Sequence, residues 1–175
     1  MRRLVAILPL AILAALALLF ATFGLHHDPH FTPDALVGQS APDAVLPHLD
    51  GSGPAHLAGA LKGPVLVNFF FSTCPPCIEE APALMALKSQ GVRLVGVAYK
   101  EPPADTQGFL SRFGNPFAEV LVDRQGRAAI DWGVSGAPET FLVAADGKVL
   151  AKHSGALTPA DADALLERMS SPTSR

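Results

Sequence analysis

Two cysteines in a chain of 175 residues are the only groups whose type and spacing announce a reaction. They stand as Cys74-Pro75-Pro76-Cys77, directly after an apolar run, Val65 to Phe71, broken only by Asn68. That run reads as a buried strand. Ser72 and Thr73 end it, and beyond Cys77 the residues Ile78, Ala81, Leu84, Met85 and Leu87 recur at helical spacings. A C-x-x-C at a strand-to-helix junction is suited to thiol–disulfide chemistry. The first sulfur falls at a helix N-terminus, where unpaired N–H groups and the macrodipole favour a thiolate. The second comes about one turn later, within reach of a disulfide. Pro75 and Pro76 lack N–H groups that a first helical turn does not use, and their fixed φ suits a helix start.

Two duller readings compete. A structural zinc site needs about four protein ligands, and the chain has no third cysteine and no histidine near the motif. Two inert core cysteines would not call for a Pro-Pro pair between them. Redox exchange is the reading the spacing favours, and no metal or cofactor is expected.

The elements that must position these sulfurs are read from the rest of the chain. Residues 1–25 differ in kind from the remaining 150: Arg2 and Arg3 precede 22 uncharged residues, Leu4 to Leu25. As a helix these would span roughly 33 Å, enough for a bilayer core of about 30 Å. A cleaved signal peptide is the alternative, though its apolar part is usually about 7–15 residues. We expect an uncleaved signal-anchor, a single transmembrane helix. The arginines place its N-terminus in the cytoplasm and the remainder outside. Residues 26–38, with His26, His27 and His30, read as a linker, residues 39–170 as one domain, and 171–175 as a loose tail. Without Arg2 and Arg3 the chain keeps 11 basic residues against 16 acidic, about −5, which argues against nucleic acid as a partner.

Within the domain, Asp50-Gly51-Ser52-Gly53 predicts a turn between two short strands, and Leu57 to Leu61 a short helix. Gly91 is a stop for the cysteine helix. Strands are expected at Val92–Tyr99, Glu119–Val122, Glu139–Ala144 and Lys148–His153, the last two joined by Ala145-Asp146-Gly147. Helices are expected at Asp105–Phe113 and Ala128–Trp132 and after Thr158-Pro159, whose N-cap and N1 character marks a start. Trp132 reads as core. The pattern is α/β: a mixed sheet, part parallel, with an antiparallel hairpin at one edge and helices on both faces.

This order of elements resembles the thioredoxin fold. Gly96-Val97-Ala98-Tyr99-Lys100, Gly114-Asn115-Pro116-Phe117 and Gly133-Val134-Ser135-Gly136-Ala137-Pro138-Glu139-Thr140-Phe141 resemble more narrowly the CcmG/DsbE family of membrane-anchored thiol–disulfide reductases of cytochrome c maturation. The resemblance implies that Cys74 attacks and Cys77 resolves, forming a redox-active Cys74–Cys77 disulfide. It implies that Pro138 is cis and faces the cysteines, and that Glu80 and Glu139 are acidic residues near the site, tuning thiol pKa values or moving protons. Thr73, Pro75, Pro76, Ala137 and Tyr99 would line the substrate groove. The implied partners are apocytochrome c, or another maturation protein, held by a transient mixed disulfide, and a membrane donor of thiol electrons. Thr73 replaces the family's usual Trp and Ser135 a common Tyr, leaving a less aromatic rim. Asn68 stands where thioredoxins keep a buried acid. A general extracytoplasmic thiol reductase, and a non-redox module that holds apocytochrome or haem, remain the alternatives.

Overall fold

The structure is a computed structural model that describes residues 9, 12–16, 18 and 35–170. Contacts divide the chain into Met1–Pro33 and Asp34–Arg175. In the first unit residues 12–16 are helical. The expected anchor lies largely outside the described residues, among which no helix is long and apolar enough to cross a membrane. The expected tail, and the linker as far as residue 34, also lie outside them. The last linker residues do not hang free. Leu36 packs against the core, and Gly38 donates its N–H to Val149 O at 2.8 Å.

The domain is built on five strands: β3 (Val65–Phe70), β4 (Leu94–Tyr99), β5 (Glu119–Asp123), β6 (Glu139–Val143) and β7 (Val149–Ser154). They lie in the order β5-β4-β3-β6-β7. β3 runs parallel to β4, and β4 to β5, while β6 and β7 are antiparallel, so the expected hairpin closes one edge. A two-stranded hairpin, β1 (Val45–Pro47) with β2 (Pro54–His56), docks on the other edge, where Leu49 N–H donates to Val120 O. The helices are α1 (Leu57–Ala60), α2 (Pro75–Ser89), α3 (Pro103–Phe113), α4 (Arg127–Asp131) and α5 (Pro159–Ser170).

Side chains alternate across a strand, and β3 is buried on both faces. Val65, Val67 and Phe69 join Trp132 and Phe141 beneath β1, α1 and α4. There Phe69, Trp132 and Phe141 meet at centroid distances of 5.1–5.8 Å in tilted and edge-on contacts. Trp132 is core, as expected, and its indole N–H donates to Pro42 O at 3.0 Å. Leu66 and Phe70 point the other way, toward α2, α3 and α5, together with both cysteines. Phe117 stacks on Phe70 at 5.0 Å, an approach that Gly96 permits, since a Cβ at 96 would lie 2.8 Å from the Phe117 ring.

The buried stripe of α2 differs from the expected one. It runs Cys77, Glu80, Ala81, Leu84 and Leu87; Met85 is exposed and Ile78 only half-buried. Apolar periodicity scores a glutamate as polar, so it misplaces a face that contains a buried carboxyl group. Pro82 lies inside the helix and offers no N–H to the carbonyl one turn earlier.

Candidate active site

Cys74 is the N-cap of α2. It holds extended backbone angles, and its Sγ accepts the Cys77 N–H at 3.2 Å, with Pro75 and Pro76 as the first two helical residues. The cap orients an orphan amide onto sulfur. Cys74 and Cys77 form a disulfide, with Cα atoms 5.2 Å apart. Both are almost fully covered, at 1% and 2% exposure. Opposite them the Ala137–Pro138 peptide is cis, and Ala137 O lies 3.3 Å from Cys74 Sγ. A disulfide sulfur has no proton to give, so this contact becomes a hydrogen bond only when Cys74 is a thiol. Thr73 and Pro75 are exposed beside the disulfide and Pro76 is half-buried.

Glu80 is one turn past Cys77 on the same face of α2, and the two line one small cavity with Asn68 and Phe70. Its carboxyl accepts from Asn68 Nδ2 at 2.9 Å and from Leu157 N–H at 3.1 Å. Asn68 Nδ2 also donates to Thr140 Oγ1 at 3.0 Å, so a polar chain crosses from β6 through β3 to α2. Burial pushes the Glu80 pKa up to about 7, with the Leu157 and Asn68 hydrogen bonds acting against it.

The resemblance puts Glu139 at the same place. The structure puts its side chain on the other face of the sheet, because it pairs with Phe69 and shares the pleat of Phe141. There it receives Ser135 Oγ at 2.7 Å and Ser154 Oγ at 3.3 Å, and Lys152 Nζ lies 3.0 Å from its second oxygen. The Lys152 side chain is only 4% exposed, donates to Gly133 O at 3.0 Å and sits over the Phe141 ring. Two ionised carboxylates flanking Cys74 are therefore not what the site contains. Glu80 alone faces the cysteines, and Glu139 ties the Ser135–Glu139 loop to β7. Ser135, which replaces a family tyrosine, is a ligand of that tie.

Tyr99 needs a second correction. It ends β4 packed with the Trp132 cluster, under Lys100, and does not share the cysteine face. Alternation decides this: Ala98 takes the cysteine side, so Tyr99 cannot. Sequence reading missed Thr140, which accepts from Asn68, and Lys152, the cation beside Glu139. The signal was a polar residue within each of two largely apolar strands, ETFLV and VLAKHS, which has many meanings. Among the described residues no group of three or more His, Cys, Asp or Glu is placed to hold a metal. His26, His27 and His30 lie outside those residues.

Fold and site together define a thioredoxin-like protein with a dithiol–disulfide pair at the head of a helix. Comparison with known proteins agrees. The Redoxin family model matches residues 36–166. The chain is 40% identical over 133 residues to the thiol:disulfide interchange protein HelX of Rhodobacter capsulatus, covering 75% of this chain and 76% of that one. It is 38% identical over 165 residues to the thiol:disulfide interchange protein DsbE of Escherichia coli K12, covering 91% and 89%. Among solved structures it is similar to a putative DsbE from Chlorobium tepidum, with a TM-score of 0.65, 32% identity and coverage of 76% and 94%. The chain belongs to the Redoxin family, among the DsbE-type thiol–disulfide oxidoreductases.

Proposed function

We propose that the domain is an extracytoplasmic reductant that keeps the paired cysteines of an apocytochrome c haem-attachment site reduced. Residues 4–25 tether it to the cytoplasmic membrane, and a membrane thiol donor restores its dithiol. The observation that carries the chemistry is the Cys74 sulfur, capped by the Cys77 N–H at 3.2 Å and faced by Ala137 O at 3.3 Å beside cis-Pro138. The names of the relatives and the uncharged run support the setting.

In the dithiol form, Cys74 thiolate attacks one sulfur of a substrate disulfide. A mixed disulfide forms and the other substrate sulfur leaves as a thiol. Cys77 then attacks Cys74, the second substrate thiol departs, and two electrons have passed to the substrate. Glu80, one turn from Cys77 with a pKa near 7, takes the Cys77 proton in that second step. The backbone at Ala137 offers an extended substrate an edge to lie along. Above neutral pH the Glu80 charge also disfavours a second negative charge on sulfur. That favours the disulfide form and makes the dithiol a better donor.

A wider role as a general extracytoplasmic thiol reductase is favoured by one feature: Thr73 is exposed and small, and Ser135 turns its hydroxyl onto Glu139. A rim with few large side chains grips its partner less selectively. Identifying what a Cys77→Ser variant traps in cells separates these readings. Apocytochrome c bound through Cys74 is the expected product. A spread of unrelated exported proteins would mean the wider role, and undiminished binding by a variant lacking both cysteines would mean a holdase.

A further inference from the structure

We infer that Glu101 is a positioning residue for the reaction, its carboxylate anchoring the turn that delivers Cys74. Glu101 is buried, and none of the steps above uses it. Its Oε2 accepts the backbone N–H of Ser72 at 2.7 Å, two residues before the cysteine. Its Oε1 accepts from the hydroxyl of Thr106 at 2.6 Å; Thr106 is fully buried in α3. The carboxylate therefore connects a rigid helix to the loop between β3 and α2.

On the helix side Cys74 is held by its own carbonyl, which accepts the N–H of Cys77 at 3.1 Å and of Ile78 at 3.2 Å; the side leading in from β3 is held less closely. Phe71 to Cys74 is a turn whose own closing bond, Cys74 N–H to Phe71 O, is 3.3 Å, longer than the usual 2.9–3.0 Å for N–H···O. The Glu101 bond is the shorter of the two. The residue before Glu101 shows what the backbone does to bring the carboxylate there. Lys100 has φ +54°, the one non-glycine in the left-handed region among the described residues. Its N–H still donates to Asp123 O, so the chain leaves β4 in register and only then turns toward the cysteine loop.

The sulfur's ionisation depends on sitting over the Cys77 N–H. A turn free to drift carries Cys74 Sγ off that donor and lowers the thiolate fraction. The inference rests on Cys74 being the attacking thiol.

The test uses the full chain with Cys77→Ser, so that one thiol remains, and reads iodoacetamide alkylation from pH 5 to 10. The parent should titrate below the ordinary cysteine value of about 8.5. Glu101→Ala should raise that inflection, slowing alkylation about ten-fold at pH 6 and less than about two-fold at pH 10, where the thiol ionises anyway. Glu101→Gln, whose Oε1 can accept from Ser72 while Nε2 donates to Thr106, should return to within about three-fold of the parent. Ser72→Pro deletes the donor and leaves the carboxylate in place; proline suits the second position of common turns. It should match Glu101→Ala, and it decides the matter if that variant does not fold. An unmoved inflection in either, an equal loss at both pH values, or a Gln variant as slow as Ala overturns the inference. A parent with no lowered inflection instead removes the reading of Cys74 itself, and this inference with it.

Discussion

On the cysteine face of the sheet Glu80 is buried among neutral partners, the Asn68 amide and the Leu157 N–H. On the opposite face Glu139, just as buried, has the ammonium of Lys152 at 3.0 Å. The same side chain at the same depth thus meets two environments. Neutral donors do not cover the desolvation cost of a carboxylate, and the Glu80 pKa rises to about 7. A cation at contact distance offsets that cost by Coulomb attraction, provided it stays. One face holds a group able to load and unload a proton near neutral pH. The other holds a tie that keeps the cis-proline loop on β7.

The comparison breaks most severely at Lys152. Lys152→Met leaves the Glu139 carboxylate buried without its cation and should cost about 3–5 kcal/mol of unfolding free energy. A denaturant titration measures it, and Glu139→Gln in the same chain should recover most of the loss. A cost under about 1 kcal/mol would mean that solvent already reaches the pair.

A pH series sharpens the other side. The folded Glu80 pKa lies above its ordinary value of 4.5, so between those two values the native state binds more protons than the unfolded one. Stability from this group is therefore highest below about pH 4.5 and falls as pH rises through about 7, by roughly 3 kcal/mol in all. Asp43 and Asp161, whose pKa values their hydrogen bonds lower, change stability only below that window. Unfolding of the disulfide form at pH 5 and pH 8 should show the drop, and Glu80→Gln should remove most of it. An equal drop in the variant would place its origin elsewhere.

Kinetics should divide the glutamates as well. Glu80→Gln should slow release of substrate from the mixed disulfide by about 10–100-fold at pH 7 and abolish the inflection near that pH. Glu139→Gln should leave the inflection in place, a stopped-flow comparison that fails if both variants shift it. The smallest effect belongs to Ser135→Ala. It deletes one of several donors to Glu139 and should cost about 1 kcal/mol, with the exchange rate little changed.

Much of this fold was legible because its cues are local. The apolar run of β3, the Pro-Pro helix start, the turn at residues 145–147 and the Thr158-Pro159 start each depend on a few neighbouring residues. The structure shows all four within a residue or two of their expected bounds. The face on which a carboxylate lies was less legible. The expected closeness of Glu139 to the cysteines came from the family resemblance. Its actual partners, Lys152 and Ser154, lie on the neighbouring strand, and only register brings them there. Tyr99 failed for the same reason: one step along a strand reverses the face. Glu101 gave no periodic signal, because its two donors lie 29 and 5 residues away.

By itself the chain order determined a sulfur pair at the mouth of a helix, since capping, proline geometry and hydrophobic runs act over a few residues. Only the tertiary structure decided which acid serves the sulfurs. A carboxyl group's pKa is set by what surrounds it in space: protein in place of water, and the presence or absence of a cation from another strand. Those neighbours are chosen by sheet register and helix packing, which no short stretch of sequence contains.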